Sequence, residues 1–282
     1  MTLEPEKFRA AWQSLGAEQI HSFASTAQQA VAWHRREDLD CRIAGQWFGS
    51  AWHSGRLIEL DPAAAPRAYA RRGQSRAELG EWPLASADYR RAEELGIHDP
   101  QGAYHQALFS LVVGDAPSYQ RVCAELLEAV RNVADPNQIN EAAWTCVLAP
   151  GAASDLSPLV RSMEQLLEQS PGNPNLLNTL GAICLRAGDA ESAARHLQAS
   201  IQGSDKVGTP WDWLFLALAE HKRGQMAESR RWLEKAAVWI DRETNPRTRG
   251  TIGQRLSWEQ RLELRLLKSE AEAPAGPLAD EN

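Results

Sequence analysis

Residues 175–201, NLLNTLGAICLRAGDAESAARHLQASI, decide the fold. Leu177 and Leu180 precede Gly181, a turn follows at Gly188, and Ala193 and Leu197 come after it. Apolar residues recur at helical spacing on both sides of the turn, so the stretch predicts helix, tight turn, helix. Gly181 and Ala193 are small where two helices of one unit would cross closely, and the leucines fill the space around the crossing. This is the tetratricopeptide pattern.

The scheme repeats outward from this unit. A turn glycine recurs at Gly45, Gly80, Gly114, Gly151, Gly188 and Gly224, with gaps of 34 to 37 residues. Around Gly80 the small and large positions are Tyr69, Gly73, Ala85, Tyr89 and Ala92; around Gly224 they are Trp213, Leu216, Ala217, Ser229, Leu233 and Ala236. Three units depart from the pattern. Asp38 stands at the small first-helix position before Gly45, and Tyr119 replaces the usual alanine after Gly114. Around Gly151 the turn expands to APGAASDLSP, with Ser157-Pro158 as a helix start. The prediction is an all-α chain, a right-handed tetratricopeptide superhelix of about six units. It is expected to comprise lead-in helices over 1–28, the array over 29–240, a long connection over 241–256, a capping helix over 257–273 and a disordered tail over 274–282. Ser257 followed by Gln260 gives the capping helix its start signal.

Composition agrees with a folded repeat protein. The chain has 282 residues, 43% hydrophobic and 24% charged, and no run long and apolar enough for a membrane span. The N-terminus lacks the regions of a secretory signal, so a cytoplasmic location is expected. A net charge of −7 argues against nucleic acid as the main partner. The arginine doublets at Arg35, Arg71, Arg90 and Arg230 sit beside acidic residues and read as solvated helical ion pairs. The segment DRETNPRTRGTIGQR, residues 241–255, is the one basic loop with scope to contact an acidic partner.

Catalytic and metal signatures are absent. No phosphate-binding glycine loop, nucleophile elbow or paired-histidine zinc motif occurs. His34 opens a string, HRRED, that faintly resembles a kinase catalytic loop but lies inside a predicted helix. Cys41, Cys123, Cys146 and Cys184 fall at packing positions and are too dispersed for a zinc site. No enzyme activity, metal or cofactor is expected.

The surface therefore carries the functional reading. Counting back from each turn glycine assigns Arg35, Arg42, Arg67 and Gln74 to the N-terminal end of a concave groove. It assigns Tyr104, Leu108, Leu111, Asn178, Trp211, Leu214, Leu218 and His221 to the rest. The groove thus reads as basic at one end and apolar beyond it. The lysine and asparagines of a chaperone-tail carboxylate clamp are missing from the first two units. The ligand expected is a protein segment, helical or extended, with apolar anchors. Some inward leucines could instead be covered by the chain's own termini. Of Trp211 and Trp213, which alternate in direction at a helix start, Trp211 is expected to face the groove and Trp213 the core.

The strings AWHRREDLDCRIAGQWFGSAWHSGRLIELDP, NEAAWTCVLAPGAASD, GTPWDWLFLALAEHKRGQMAESRRWLEKA and SWEQRLELRLLKSEAEA resemble the tetratricopeptide tail of planctomycete-type bacterial signalling proteins. In that family the tail follows WD40 repeats, a Ser/Thr kinase or a related domain. The resemblance implies an accessory interaction module, a scaffold or adaptor that acts in trans within a hetero-complex. The competing expectation is an inhibitory or sensor subunit of a multi-component bacterial signalling or defence system, which masks a protease, kinase or sigma factor.

Overall fold

A computed structural model describes residues 26–97, 101–131, 135–204, 206–244 and 256–275. The lead-in helices expected over 1–28, most of the basic 241–255 loop and the end of the tail lie almost wholly outside these residues. The described residues form helices and no strands. They divide into two compact units, 1–102 and 103–282, where the sequence predicted one array over 29–240.

The first unit holds α1 (Ala27–Ile43), α2 (Trp47–Leu60), α3 (Ala65–Glu78) and α4 (Trp82–Glu94). The second holds α5 (Gly102–Val112), α6 (Ala116–Val130), α7 (Pro136–Val147), α8 (Ser157–Gln169), α9 (Pro174–Arg186), α10 (Ala190–Gly203), α11 (Pro210–Lys222), α12 (Met226–Thr244) and α13 (Trp258–Ala275). Consecutive helices pack most extensively: α1 with α2, α2 with α3, α3 with α4, α9 with α10 and α11 with α12.

The turn glycine ends the first helix of a pair by one mechanism. At Gly188 the backbone takes φ +94°, its N–H donates to the Leu185 carbonyl, and the next N–H, of Asp189, reaches back to Cys184. That pair of bonds satisfies carbonyls the helix leaves open, and the left-handed conformation favours glycine. Asp189 then caps α10 by accepting from the Ser192 N–H at 2.9 Å. The same two backbone bonds recur at Gly45, Gly80, Gly114 and Gly224. Gly151 differs: it lies within the expanded connection, with its carbonyl accepting from Gln120 Nε2. α8 starts at Ser157-Pro158, as the sequence predicts.

The close crossing inferred from the small residues is present. A methyl group at Gly181 would lie 2.6 Å from Leu197 Cγ and 3.2 Å from the Ala193 carbonyl, and one at Gly73 would lie 3.0 Å from the Tyr89 ring. Ala193 and Leu197 are fully buried. The four cysteines are buried and free, and burial pushes the Cys184 thiol up to about 11.

Two of the three departures from the repeat pattern become polar substitutes for packing. Tyr119 is buried, with its hydroxyl donating to the Thr145 carbonyl at 3.1 Å and accepting from the Ala149 N–H at 3.2 Å, so it ties α6 to the end of α7. Asp38 is fully buried and accepts from Ser50 Oγ at 2.7 Å and Ser54 Oγ at 3.1 Å. Arg42 and Arg71 each approach it at 3.5 Å. A buried carboxylate is tolerated where donors and cations compensate its lost hydration. The doublets are likewise more than solvated pairs: Arg72 makes a two-pronged contact to the buried Asp88 at 2.9 and 2.7 Å, and Arg76 joins it at 2.6 Å.

His34 is buried inside α1, with Nδ1 2.9 Å from Nδ1 of His53. Burial, then Arg56, holds His34 down at about 4; burial, then His34, holds His53 at about 3. Unfolded rings take up protons near the ordinary 6.5, so the stability from this neutral pair is present above that pH. It is lost as the pH falls toward 4.

Two outcomes follow from these contacts. Gly181→Ala destabilises the protein by about 1–3 kcal/mol through overpacking, whereas Gly55→Ala, whose new methyl would meet nothing nearer than 3.6 Å, is neutral or stabilising; thermal denaturation of the two variants reads the contrast. Chemical-denaturation midpoints measured from pH 7 to about 5 should fall in the native protein and flatten in the His34→Gln/His53→Gln variant.

Candidate functional site

In the second unit the first helices of the pairs, α5, α7, α9 and α11, present one shared face, and α13 lies on it. The sequence explains why α13 forms: Ser257 and Gln260 exchange hydrogen bonds, Ser257 N–H to Gln260 Oε1 at 3.0 Å and Gln260 N–H to Ser257 Oγ at 3.3 Å, which closes the expected capping box. Trp258, Leu262, Leu264, Leu267 and Ala271 are then buried by the packing.

At the centre of the contact is Glu263, 3% exposed. Its Oε1 accepts from the Tyr104 hydroxyl and from Trp144 Nε1, both at 2.5 Å, and its Oε2 accepts from Trp211 Nε1 at 2.9 Å. One carboxylate therefore gathers donors from α5, α7 and α11. Burial raises the Glu263 pKa, with the three hydrogen bonds opposing it. Burial also raises that of Tyr104, which keeps the phenol protonated as a donor. Two flanking contacts fix the ends of α13. The Trp258 ring stacks on Phe109 of α5 at 5.3 Å and 3°. Arg186 of α9 clasps Glu270 at 2.5 and 2.7 Å and donates from Nε to the Val147 carbonyl at 2.9 Å.

This arrangement corrects the groove read from spacing. Leu108 and Leu214 are fully buried and Leu218 is 6% exposed, so these leucines belong to the interior and do not line an open surface. Leu111 and His221 are half-buried. Tyr104 and Trp211 do stand on the shared face, as does Asn178, whose Nδ2 donates to Asp212 Oδ1 at 2.6 Å. Trp213 is buried, as expected, and donates to the Val207 carbonyl. The face is consequently rich in donors and aromatic rings, and it is covered by the chain's own helix. α13 packs most on α11 and α12, the last pair, as befits a capping helix; Trp144 and Glu263, which seat it across the face, carry no signal of that role in the repeat pattern. An acidic residue inside the apolar run LELRLL was the available signal.

In the first unit the predicted positions lie on α1 and α3. Arg35 pairs with Asp61 at 2.6 Å, Arg42 is drawn to Asp38, Arg67 is exposed, and Gln74 is half-buried. Arg71 lies among them: burial lowers its pKa, Asp38 opposes the shift, and Arg42, Arg67 and Arg35 add to it. Four guanidinium groups are thus close enough to repel one another. Leu39 and Ile43, one turn apart on α1, are 48% and 70% exposed.

Among the described residues no group of His, Cys, Asp or Glu could hold a metal ion, and no helix is long and apolar enough to cross a membrane. No family model matches the chain, and no curated protein resembles it significantly. Among solved structures, a tetratricopeptide repeat protein from Parabacteroides merdae is similar over 86% of both chains, with 11% identity and a TM-score of 0.57. The fold is the tetratricopeptide-repeat fold. A complex of the TPR2AB domain of yeast Sti1 with pHSP90 aligns over 86% of this chain and 98% of its own, at 15% identity and a TM-score of 0.33.

Removing the carboxylate should loosen α13. Glu263→Leu leaves three buried donors without an acceptor and is expected to cost about 3 kcal/mol, with a red shift of tryptophan emission as Trp144 and Trp211 meet water. Glu263→Gln keeps one acceptor and sets its amide against an indole N–H, so its loss is smaller; equal stability of all three proteins would contradict this seat.

Proposed function

We propose that the protein is a non-catalytic interaction scaffold that grips a segment of another protein on first-helix faces of its repeats. The observation that carries this reading is α13 itself. An amphipathic helix with an acidic anchor is seated on the second unit's face by aromatic donors and an arginine clasp, which is the helix-in-groove mode of recognition enacted within one chain. The first unit has the corresponding surface in Arg35, Arg42, Arg67 and Gln74, beside exposed Leu39 and Ile43. Its positive charge and apolar side chains suit an acidic segment with aliphatic anchors. Burial of one such anchor is worth about 1.5–3 kcal/mol. Tyr104, Asn178 and Trp211 would serve a partner in trans where that partner displaces or extends α13.

The resemblance to planctomycete-type signalling tails fits this role, with the chain as an accessory or regulatory subunit of a bacterial hetero-complex. His34 of the HRRED string is buried and packed against His53.

Affinity capture from the native host, with proteins identified by mass spectrometry, tests the reading. Arg67→Glu, at an exposed position, should keep the native melting temperature and lose the captured partner. Equal capture by this variant would overturn the assignment of the first unit's face.

A further inference from the structure

Beside α13 and the face it covers, the second unit has an open pocket of about 390 Å³. Its volume is within the range of small-ligand sites. Asp212 and Glu263 line it, both acidic, and no Lys, Arg or His does. Tyr104, Trp144 and Trp211 supply aromatic surface.

Many of the wall's donors are already used, although the Asn175 and Gln260 amides and the Ser204 hydroxyl keep donors of their own. The Tyr104 hydroxyl and both indole N–H groups are spent on Glu263. Asn178 Nδ2 and the Thr209 hydroxyl are spent on Asp212, and the Thr179 and Ser200 hydroxyls donate to backbone carbonyls. Acceptors stay open: Asn140 Oδ1 is buried without a hydrogen-bond partner, and the carboxylates have no cation beside them in the wall. A buried acceptor left unpaired is costly, and so is an anion held only by neutral donors. An anionic ligand would meet two carboxylates, and a neutral polyol would leave both without a counter-charge.

We propose that this pocket binds a cationic group, an ammonium or guanidinium on a short aliphatic stem, with Asn140 and the Asp212 and Glu263 carboxylates as acceptors and the aromatic rings packed around the charge. Cations are attracted to aromatic faces as well as to carboxylates, and both are present here. The cation is either that of a free small amine or the end of a lysine or arginine side chain from another protein. Gln260 and Glu263 of α13 form part of the wall, so a bound cation also holds α13 on its face. The site lies within the second unit and does not depend on partner binding by the first.

Titration of the full chain, followed by calorimetry and tryptophan fluorescence, tests the site with two probes. Agmatine represents the free amine and a blocked Gly-Arg-Gly peptide represents the side chain; n-butylurea and the Gly-citrulline-Gly peptide are the uncharged controls. Saturable binding of agmatine alone assigns a free amine, of the arginine peptide alone a protein side chain, and of both the cationic group itself. Asn140→Asp adds a charge without changing shape and should tighten the binding, while Asn140→Leu should weaken it about tenfold. Absence of saturable binding by either cation, binding of the uncharged controls as tightly, or indifference to Asn140→Asp would overturn the proposal.

Discussion

The close crossing of paired helices is the constraint from which the rest of the structure follows. Gly181 permits α9 and α10 to approach until Leu197 occupies the space a methyl group would take, and Gly73 does the same for α3 against Tyr89. Such an approach needs an abrupt reversal of the chain, which the left-handed glycine and its paired backbone bonds provide. With the pairs fixed, the first helices of the second unit share a face, and that face is what α13 covers. Dispersion contacts at the crossings hold the pairs, and a few directed hydrogen bonds hold α13.

Glu263 gives this second layer its specificity. An aliphatic residue at its position would pack as readily but would leave Tyr104, Trp144 and Trp211 without an acceptor, so the carboxylate selects one register of α13 on the face. Burial opposes its charge, and no lysine, arginine or histidine shares its pocket. A cation in the proposed site would couple its own binding to the seating of α13 through this one side chain.

The repeat was legible because its signals are local. Glycine at a turn, a small residue at a crossing and a serine with glutamine three residues later each act within a few residues, and Gly188, Gly181 and Ser257 behave as their neighbours dictate. The substitutes were not legible. Asp38 and Tyr119 looked like defects because their partners, Ser50, Ser54 and Arg71 in one case and the Thr145 and Ala149 backbone in the other, come from other helices. The burial of Leu108 and Leu214 was not legible for a related reason: spacing gives an angle around a helix and not what packs against it. The seat of α13 depends on residues separated by up to 159 positions, beyond any periodic pattern.

The central claim is that α13 is docked on the first-helix face of the second unit. Hydrogen exchange of the backbone amides of residues 262–271, compared with those of α9, measures it most directly. Protection of the same order as in α9 is the result this structure predicts. Exchange of residues 262–271 at the rate of an unstructured peptide, with α9 still protected, would contradict it.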